Sequence, residues 1–384
     1  MGWSPFRRLG LTHHDPSRSF KGYTLLTPLG GKDVLLIDMR GRIVHRWFTD
    51  GVEAAYGRLL DDGHLLLTCD GRKKGKPPNS PKEFQALPLE QRVQWLGGSY
   101  DVVRKYSWDG EVAWEHTDHT LHHDAKPLPN GNILLSRWVE MDQQLANSVR
   151  GGRHPRRKHA MFCDVIFELT PDREEVNAID VATLFDPRKD PVGVLGDRSE
   201  WTHTNSLDTN ATGDVLFSSP ANSRISIVDA TTRELCWKFD KTHAQHDARF
   251  LDDGNVLVFD NHAGGSGSPE SRVVEINVET SEVAWEYKGN PGMSFFSPFI
   301  SGAERLPNGN TLICEGSSGR VFEVTRNREV VWEWISPFVN TFGSAHQASY
   351  IFRPHRFAPD HPALADKDLD PGRHKSFNQL YGLM

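Results

Sequence analysis

Four histidines are the residues of this sequence whose type and spacing are best suited to chemistry, because they recur at one place in a repeated phrase. His123, His246 and His346 each stand five residues before an apolar residue, and His203 stands four residues before one. Imidazoles that converge repel one another when charged, which keeps them neutral. Neutral imidazoles act as nucleophiles, general bases or metal ligands. If the four side chains converge, they form a catalytic or metal-binding site.

The phrase that contains these histidines begins a repeat of short strands. Its first half is a polar turn followed by an apolar run, as in Leu251-Asp-Asp-Gly-Asn-Val-Leu-Val-Phe259. Its second half is an apolar strand, a polar turn and a strand that ends in tryptophan. A copy at 167–176 lacks the tryptophan, and the five copies that keep it end at Trp47, Trp114, Trp237, Trp285 and Trp332. Repeated short strands joined by Gly, Asn and Asp turns indicate a β-propeller, with these tryptophans in the core between neighbouring sheets.

The sequence therefore predicts an all-β fold, a single six-bladed β-propeller that forms one domain over residues 1–384. We expect N-terminal strands to pair with a C-terminal strand, because a blade made from both chain ends closes the ring and leaves no open sheet edge. The predicted blades cover approximately residues 55–115, 123–181, 203–239, 246–287, 301–335, and 346–352 together with 22–48. Innermost strands begin near the channel of a propeller, which predicts that the four histidines line one central funnel.

Two long segments are predicted to be loop insertions over this funnel, at 70–99 and 138–160. The first contains a short helix predicted over 81–96. The second contains a basic run at 150–159, which is either an anion-binding segment at the funnel mouth or a solvated loop. Long loops on a rigid scaffold often contain functional residues.

Composition excludes several classes of partner. The chain has 384 residues and a formal net charge of −7, which argues against nucleic acid or an anionic membrane as the main partner. No apolar run approaches the roughly 18–20 residues of a membrane span. The first residues lack the pattern of an export signal, and four separated cysteines read as free thiols, so we expect a cytoplasmic protein. Composition predicts no oligomeric state.

Other side chains near the histidines have two interpretations each. Asp124 and Asp247 directly follow a histidine of the set, so each either orients an imidazole or caps a turn. Phe295 and Phe296 lie in a long loop at 287–303, where they either line a pocket for an aromatic substrate or anchor their own loop.

The ordered histidine phrases resemble the arylsulfate sulfotransferase (ASST)-like β-propeller family. The matching phrases are His122-His-Asp, Trp201-Thr-His-Thr-Asn-Ser206, Gln245-His-Asp and Phe259-Asp-Asn261, within a resemblance that runs from about residue 22 to about residue 356. The resemblance implies a six-bladed propeller that moves a sulfuryl group from an aryl sulfate to a phenol by a ping-pong route. It also implies that His246 is the nucleophile and that His123 and His203 bind the sulfate and assist the leaving phenol. Asn205, within the second phrase, is assigned to substrate binding.

The chain departs from the family pattern at two positions. The family has Arg after a Ser-Ser pair, and Pro220 follows Ser218-Ser219 here. Arg224 is the nearest replacement for a sulfate-binding arginine, with Arg272 and Arg320 as further candidates. The family's Phe-Asp-Asn-Gly ends here in His262, a further imidazole that we assign to substrate binding.

Two enzymatic functions follow from these residues. The first is aryl sulfotransferase-like transfer through a His246 intermediate to a phenolic acceptor, with a small aromatic substrate and no cofactor. The second is a metal-dependent lyase, hydrolase or oxygenase in which His123, His203, His246 and His346 hold Zn, Fe or Mn. A non-catalytic propeller that binds a partner on its loop face is a third interpretation. The metal content of the protein distinguishes the first two.

Overall fold

The chain forms a six-bladed β-propeller. The structure is a computed structural model, and it describes residues 8–72, 78–153, 160–265, 267–342 and 346–383. The fold class predicted from the repeats is therefore confirmed.

Strands make up most of the described chain. In chain order they are β1 (Gly10–His14), β2 (Tyr23–Leu26), β3 (Asp33–Ile37), β4 (Ile43–Phe48), β5 (Glu53–Leu59), β6 (Leu65–Asp70), β7 (Val102–Tyr106), β8 (Val112–Thr117), β9 (Leu121–Pro127), β10 (Ile133–Glu140), β11 (Gly151–Arg153), β12 (Phe162–Leu169), β13 (Glu175–Asp180), β14 (Val192–Asp197), β15 (Ser206–Thr209), β16 (Val215–Ser219), β17 (Arg224–Val228), β18 (Leu235–Phe239), β19 (His246–Phe250), β20 (Val256–Asp260), β21 (Arg272–Asn277), β22 (Glu282–Lys288), β23 (Gly302–Arg305), β24 (Thr311–Glu315), β25 (Arg320–Val324), β26 (Val330–Ile335), β27 (Asn340–Phe342), β28 (His346–Ala348) and β29 (His355–Phe357).

The helices are short and lie in the connections between strands. The α-helices are α1 (Pro81–Gln85), α2 (Leu89–Val93), α3 (Gln143–Ser148) and α4 (Lys375–Leu380), and the 3₁₀ turns are Val181–Leu184, Gly292–Ser294, Gly316–Ser318, Pro362–Leu364 and Pro371–His374. The helix predicted over 81–96 is thus two short helices. None of the helices in the described part of the chain is long and apolar enough to span a bilayer.

Six sheets of four or five strands are the blades. Their strand orders are β5-β6-β7-β8, β13-β12-β10-β9, β15-β16-β17-β18, β19-β20-β21-β22, β1-β26-β25-β24-β23 and β29-β2-β3-β4. Two further pairs, parallel β11-β14 and antiparallel β27-β28, are small ribbons outside the blades. The blade β29-β2-β3-β4 joins N-terminal strands to a C-terminal strand, which confirms the predicted closure of the ring.

The strand that closes this blade is not the predicted one. We expected 346–352, but β28 pairs with β27, and β29 pairs with β2. A bridge between Pro28 and Ile351 continues the pairing of β2. β29 could not be recognised in the sequence because it contains His355 and Arg356, which are typical of exposed positions. Both are buried in the structure. Each has a polar partner from a distant segment: Tyr56 Oη lies 2.7 Å from His355 Nε2, and Arg356 Nη1 donates to Glu323 Oε2 at 2.8 Å.

The chain divides into two compact units. The first contains Met1–Leu67, Lys105–Trp114 and Ile300–Met384, and the second contains Thr68–Arg104 and Glu115–Phe299. Except for His346 and the candidate Arg320, all the predicted site residues belong to the second unit.

Four turns of the repeat share one hydrogen-bonded geometry. In each, the leucine N–H before the turn bonds to a carbonyl four residues later, as from Leu251 to Asn255 at 2.8 Å. The glycine inside the turn has a φ of +82° to +87°, which side chains disfavour, at Gly63, Gly131, Gly254 and Gly309. Two of these turns directly follow β9 and β19, the strands that contain His123 and His246.

The tryptophans of the repeat pack in the core, as predicted for them. Trp47, Trp285 and Trp332 are buried, and Trp114 and Trp237 are half-buried. The Trp47 indole N–H donates to the Ser107 carbonyl at 3.1 Å, and that of Trp332 donates to the Met39 carbonyl at 2.9 Å. Each indole therefore binds the turn of a neighbouring sheet and holds two blades together.

Candidate active site

Two of the four predicted histidines are neighbours in the structure. The ring centroids of His123 and His203 lie 4.5 Å apart, with the planes at 68°. Trp138 packs beside His203 at 5.4 Å and is fully buried. His123 lies in β9 and His203 lies three residues before β15, and these strands belong to successive blades of the second unit. The repeat position predicted from sequence thus brings these two imidazoles together.

The backbone is strained at this repeat position. His123 has a φ of +57° and His203 a φ of +61°, and Asp247, next to His246, has a φ of +60°. Non-glycine residues in this region cost about 1–3 kcal/mol each and cluster at functional sites. Three blades therefore contain an energetically unfavourable backbone conformation at or next to the histidine of the repeat position.

A glycine pair makes room for both rings. A Cβ on Gly98 would lie 2.1, 2.2 and 2.5 Å from Nε2, Cε1 and Cδ2 of His123, and one on Gly97 would lie 3.2 Å from Cε1 of His203. Because the three distances at Gly98 are nearly equal, Gly98 lies over the face of the His123 ring and not at its Nε2 edge. The Gly98 carbonyl accepts the N–H of His123 at 2.8 Å. A side chain at Gly98 would displace the imidazole.

His122, a residue that the site prediction omitted, lies directly behind His123. The Nδ1 atoms of the two rings are 3.0 Å apart. His122 is fully buried, stacks on Trp138 at 4.1 Å, and has its Nε2 3.3 Å from Oδ1 of Asp164. The polar side of the His123 ring therefore faces a buried histidine–aspartate pair.

Asp164 is held in place by two threonines. Its Oδ2 accepts the Thr202 hydroxyl at 2.7 Å and the Thr204 N–H at 2.8 Å. Burial by itself raises the pKa of the Asp164 carboxyl. Hydrogen bonds from His122, Thr204 and Thr202 outweigh burial and hold that pKa below its usual value. Asp164 is therefore an ionised carboxylate inside the protein.

His203 has a carboxylate partner of its own. Glu200, three residues earlier in the chain, contacts Nδ1 of His203 through Oε2, and both side chains are largely buried. A carboxylate on Nδ1 orients an imidazole and stabilises positive charge on it. His123 and His203 therefore differ in partner, since one ring faces an imidazole and the other a carboxylate.

His246 lies at the start of β19 with its Nδ1 held by two acceptors. Nδ1 is 2.8 Å from Asn261 Oδ1 and 3.0 Å from the Ala244 carbonyl. The Asn261 amide is itself oriented, because its Nδ2 donates to the Ser297 carbonyl at 2.8 Å. Because both partners accept, Nδ1 bears the hydrogen, and the neutral ring has its lone pair on Nε2.

The inner strands of three successive blades are connected by side chains. Asp124 accepts the Leu207 N–H at 3.0 Å, and Ser206 Oγ accepts the Ala248 N–H at 3.0 Å. Asn205 is buried and donates to the Gln245 carbonyl at 2.9 Å. Asp124 thus connects β9 to β15, and Asn205 connects the residue before β15 to the residue before His246.

The structure describes the backbone of His346 in β28, but its side chain lies outside the described residues. Residues 154–159 of the basic run also lie outside them. Within the described ranges, no group of three or more His, Cys, Asp or Glu side chains is placed to hold a metal ion. The Zn, Fe or Mn site therefore stays a prediction from sequence.

The three candidate arginines form ion pairs with protein carboxylates. Arg224 Nε lies 2.9 Å from Asp190, and its other nitrogens donate to backbone carbonyls. Arg272 pairs with Asp260 at 2.8 Å, and Arg320 pairs with Glu333 at 2.7 Å. We assigned Arg224 to substrate binding, but its charge is matched by Asp190, whose side chain is 2% exposed.

The remaining candidates lie in the β19–β22 blade and its loops. Phe295 is fully buried against Phe259, with ring centroids 5.4 Å apart, a packing that favours the interpretation in which it anchors its own loop. Phe296 is half-buried beside it. His262 lies 5.3 Å from His243, centroid to centroid, and lines a cavity of about 130 Å³ with Glu270, Arg272 and Lys288.

One of the partners that the prediction omitted has a usable signal in the sequence. Asp164 interrupts the apolar run of β12, Phe162–Leu169, where a charged residue needs a buried partner. Glu200 stands three residues before His203 and has no comparable signal. His122 does not fit the repeat spacing, which only its neighbour His123 does.

Comparison with known proteins adds a family to this geometry. The profile of the family described as Arylsulfotransferase (ASST) matches residues 91–337. Arylsulfate sulfotransferase AssT of Escherichia coli O6:H1 (strain CFT073) is 22% identical to this chain over 374 residues, covering 75% of this chain. This chain spans 58% of the length of that relative.

A solved structure is similar in fold. The crystal structure of a protein of unknown function from Bacteroides caccae superposes with a TM-score of 0.54 at 14% identity. The alignment covers 88% of this chain and 99% of that one. At this identity the likeness supports the fold alone.

Proposed function

Because this chain belongs to the arylsulfotransferase (ASST) family, we propose that it transfers a sulfuryl group from an aryl sulfate to a phenol through an intermediate on His246. The observation on which this rests is the hydrogen bonding of His246. Asn261 and Ala244 accept from its Nδ1, so Nε2 has the lone pair that a nucleophile needs.

In the first half-reaction, Nε2 of His246 attacks the sulfur of the aryl sulfate. The N–S bond forms, the S–O bond to the aryl group breaks, and its electron pair leaves on the phenolate oxygen. His203 is the proton donor in this proposal, because Glu200 on its Nδ1 stabilises the imidazolium. The phenol then leaves, and His246 holds the sulfuryl group.

In the second half-reaction, the acceptor phenol attacks the sulfuryl group on His246. Its O–H bond breaks, the S–O bond forms, and the N–S bond breaks with its electron pair returning to Nε2. The cycle needs no cofactor, since the imidazole itself holds the group. The substrate proposed is a small aromatic sulfate. Asn205, His262 and Phe296 remain proposed substrate contacts.

A transfer assay tests the function. Wild-type protein with 4-nitrophenyl sulfate and an excess of a second phenol should release nitrophenol and form the new aryl sulfate. His246→Ala should lower this rate by at least about 10³-fold, since it removes the nucleophile. His119→Ala, a half-exposed histidine of the same unit, should leave it near the wild-type value. Equal rates in wild type and His246→Ala would reject the proposal.

The metal-dependent alternative stays a prediction. Metal analysis of untagged protein, with His203→Ala beside the wild type, distinguishes it. A metal held at about one per chain and lost in the variant would replace the nucleophilic mechanism.

A further inference from the structure

We propose that His122 and Asp164 are positioning residues that fix the tautomer of His123 and make its Nε2 the base for the acceptor phenol. This inference rests on the proposed sulfuryl transfer, because His123 acts as a base only if that reaction takes place. It concerns the second half-reaction, in which a phenolic O–H bond must break.

The argument begins at Asp164, whose two oxygens have different partners. Oδ2 accepts from Thr202 and Thr204, and Oδ1 faces Nε2 of His122 at 3.3 Å. Among the described residues, no other hydrogen-bond partner lies near either of these facing atoms, and both are buried. An ionised carboxylate only accepts, so Nε2 of His122 bears a hydrogen.

The next step is the contact between the two histidines. A neutral His122 with its hydrogen on Nε2 has its lone pair on Nδ1. The two Nδ1 atoms are 3.0 Å apart, so one hydrogen lies between them. His123 must supply that hydrogen from its own Nδ1, which leaves the lone pair of His123 on Nε2.

Neighbouring side chains hold this arrangement in place. Trp138 stacks on His122, and Ser136 Oγ donates to the His122 carbonyl at 3.0 Å. Gly98 covers the face of the His123 ring and leaves the Nε2 edge to other groups. The positive φ of His123 aims the side chain away from the regular strand direction.

The proton balance of the second half-reaction follows. The acceptor's O–H proton passes to Nε2 of His123 while the phenol oxygen bonds to sulfur and His246 recovers its electron pair. His123 then returns the proton to solvent, and His203 takes one from solvent before the next donor binds. Acid and base are separate residues, so the two half-reactions can be impaired separately.

Asp164→Asn reverses the hydrogen-bond chain. The Asn oxygen must still accept from Thr202 and Thr204, so its NH₂ group faces Nε2 of His122. Nε2 then becomes the acceptor, Nδ1 of His122 bears the hydrogen, and the hydrogen of His123 moves to Nε2. The variant retains the shape of the site and removes the base.

Two measurements test this chain. In ring-¹⁵N-histidine-labelled protein, assigned with His122→Gln and His123→Gln, nitrogen shifts should show His123 as the Nδ1–H tautomer in wild type and Nε2–H in Asp164→Asn. In stopped flow, Asp164→Asn should still release about one nitrophenol per chain in the first half-reaction. Transfer of the sulfuryl group from His246 to the acceptor should be about 10²–10⁴-fold slower than in wild type. A more acidic acceptor phenol should reduce that defect.

Asp101→Asn is the matched control, since Asp101 is a buried aspartate that also faces a histidine, His119, at 3.3 Å. It should leave both half-reactions near wild type. An Nε2–H tautomer of His123 in wild type, an unchanged tautomer in Asp164→Asn, or equal slowing of both half-reactions would overturn the inference. If Asp164→Asn does not fold, the wild-type tautomer still decides. Absence of nitrophenol release in wild type would reject the proposed function, and the nitrogen shifts would still report on His122 and His123.

Discussion

At the scale of single residues, each important imidazole is defined by the atom that faces its Nδ1. His246 faces an amide and a carbonyl oxygen, His203 faces a carboxylate, and His123 faces another imidazole. Ring nitrogens of one type therefore acquire different chemistry from partners elsewhere in the chain.

Asn261 should matter to catalysis through His246 alone. Asn261→Ala removes the nearer of the two Nδ1 acceptors and leaves only the Ala244 carbonyl, so the ring of His246 is less firmly held in its orientation and tautomer. We expect sulfuryl transfer to fall about 10–100-fold, the range seen when an outer partner of a functional histidine is removed. Asn255→Ala, in the turn of the same blade, is the control and should retain activity. A full rate in Asn261→Ala would show that the acceptor is dispensable.

The histidines in the repeat could be predicted from sequence, but which side chain each of them contacts could not. The spacing to the turn identified His123 and His246 because each lies five residues before the leucine that begins the turn after β9 or β19. Asp164 lies 42 positions beyond His122 and meets it only through the pairing of β12 with β10 and of β10 with β9. No periodicity in the chain reports a contact of that kind.

At the scale of elements, the segment at Gly97 and Gly98 meets the starts of β9 and β15. Its fit depends on missing side chains, because a Cβ on Gly98 would occupy the face of the His123 ring. The segment belongs to the insertion predicted over 70–99, so this insertion contributes directly to the histidine pair.

Gly98→Ala should separate backbone strain from the loss of the ring position. Because Gly98 has a φ of +71°, an alanine there should lower the free energy of unfolding by about 1–2 kcal/mol. Gly254→Ala, at +82° with nothing within 4 Å of the new Cβ, should lose a similar amount. Urea unfolding should therefore give similar losses, while only Gly98→Ala loses more than tenfold in transfer rate. Equal activity in the two variants would contradict the packing described for His123.

The boundaries of strands could be predicted where a glycine turn follows them. They could not be predicted where a strand buries polar or charged side chains. Leu-x-x-Gly turns identified the hairpins of four blades, since glycine is needed at a positive φ. β29 was missed because His355 and Arg356 read as surface residues, and only the fold supplies Tyr56 and Glu323 as partners.

At the scale of the whole molecule, stability depends on groups far from the site. His45 in β4 stacks on Trp108 at 3.9 Å and donates Nε2–H to the Trp108 carbonyl at 3.0 Å. Burial lowers the pKa of His45 to about 4, against the opposing effect of the hydrogen bond that His45 donates to the Trp108 carbonyl. The folded protein thus favours neutral His45.

The protein should lose stability as pH falls from about 6.5 to about 4. In that window the unfolded chain protonates His45 and the folded chain does not, so the unfolded state binds more protons and acid favours it. His45 should contribute up to about 3 kcal/mol to this loss. Urea unfolding at pH 7 and pH 5 should show a smaller loss for His45→Gln than for wild type. His119→Gln controls for removing a half-exposed imidazole, and an identical slope in His45→Gln and wild type would contradict this account.

The most direct test of the central claim is the identity of the residue that holds the sulfuryl group. Wild-type protein should be mixed with 4-nitrophenyl sulfate without acceptor, quenched at neutral to alkaline pH, digested and analysed by peptide mass spectrometry. We predict one SO₃ group on His246, formed with about one nitrophenol per chain and lost on adding a phenol. Transfer with His246 unmodified, or the group on a different residue, would contradict the mechanism.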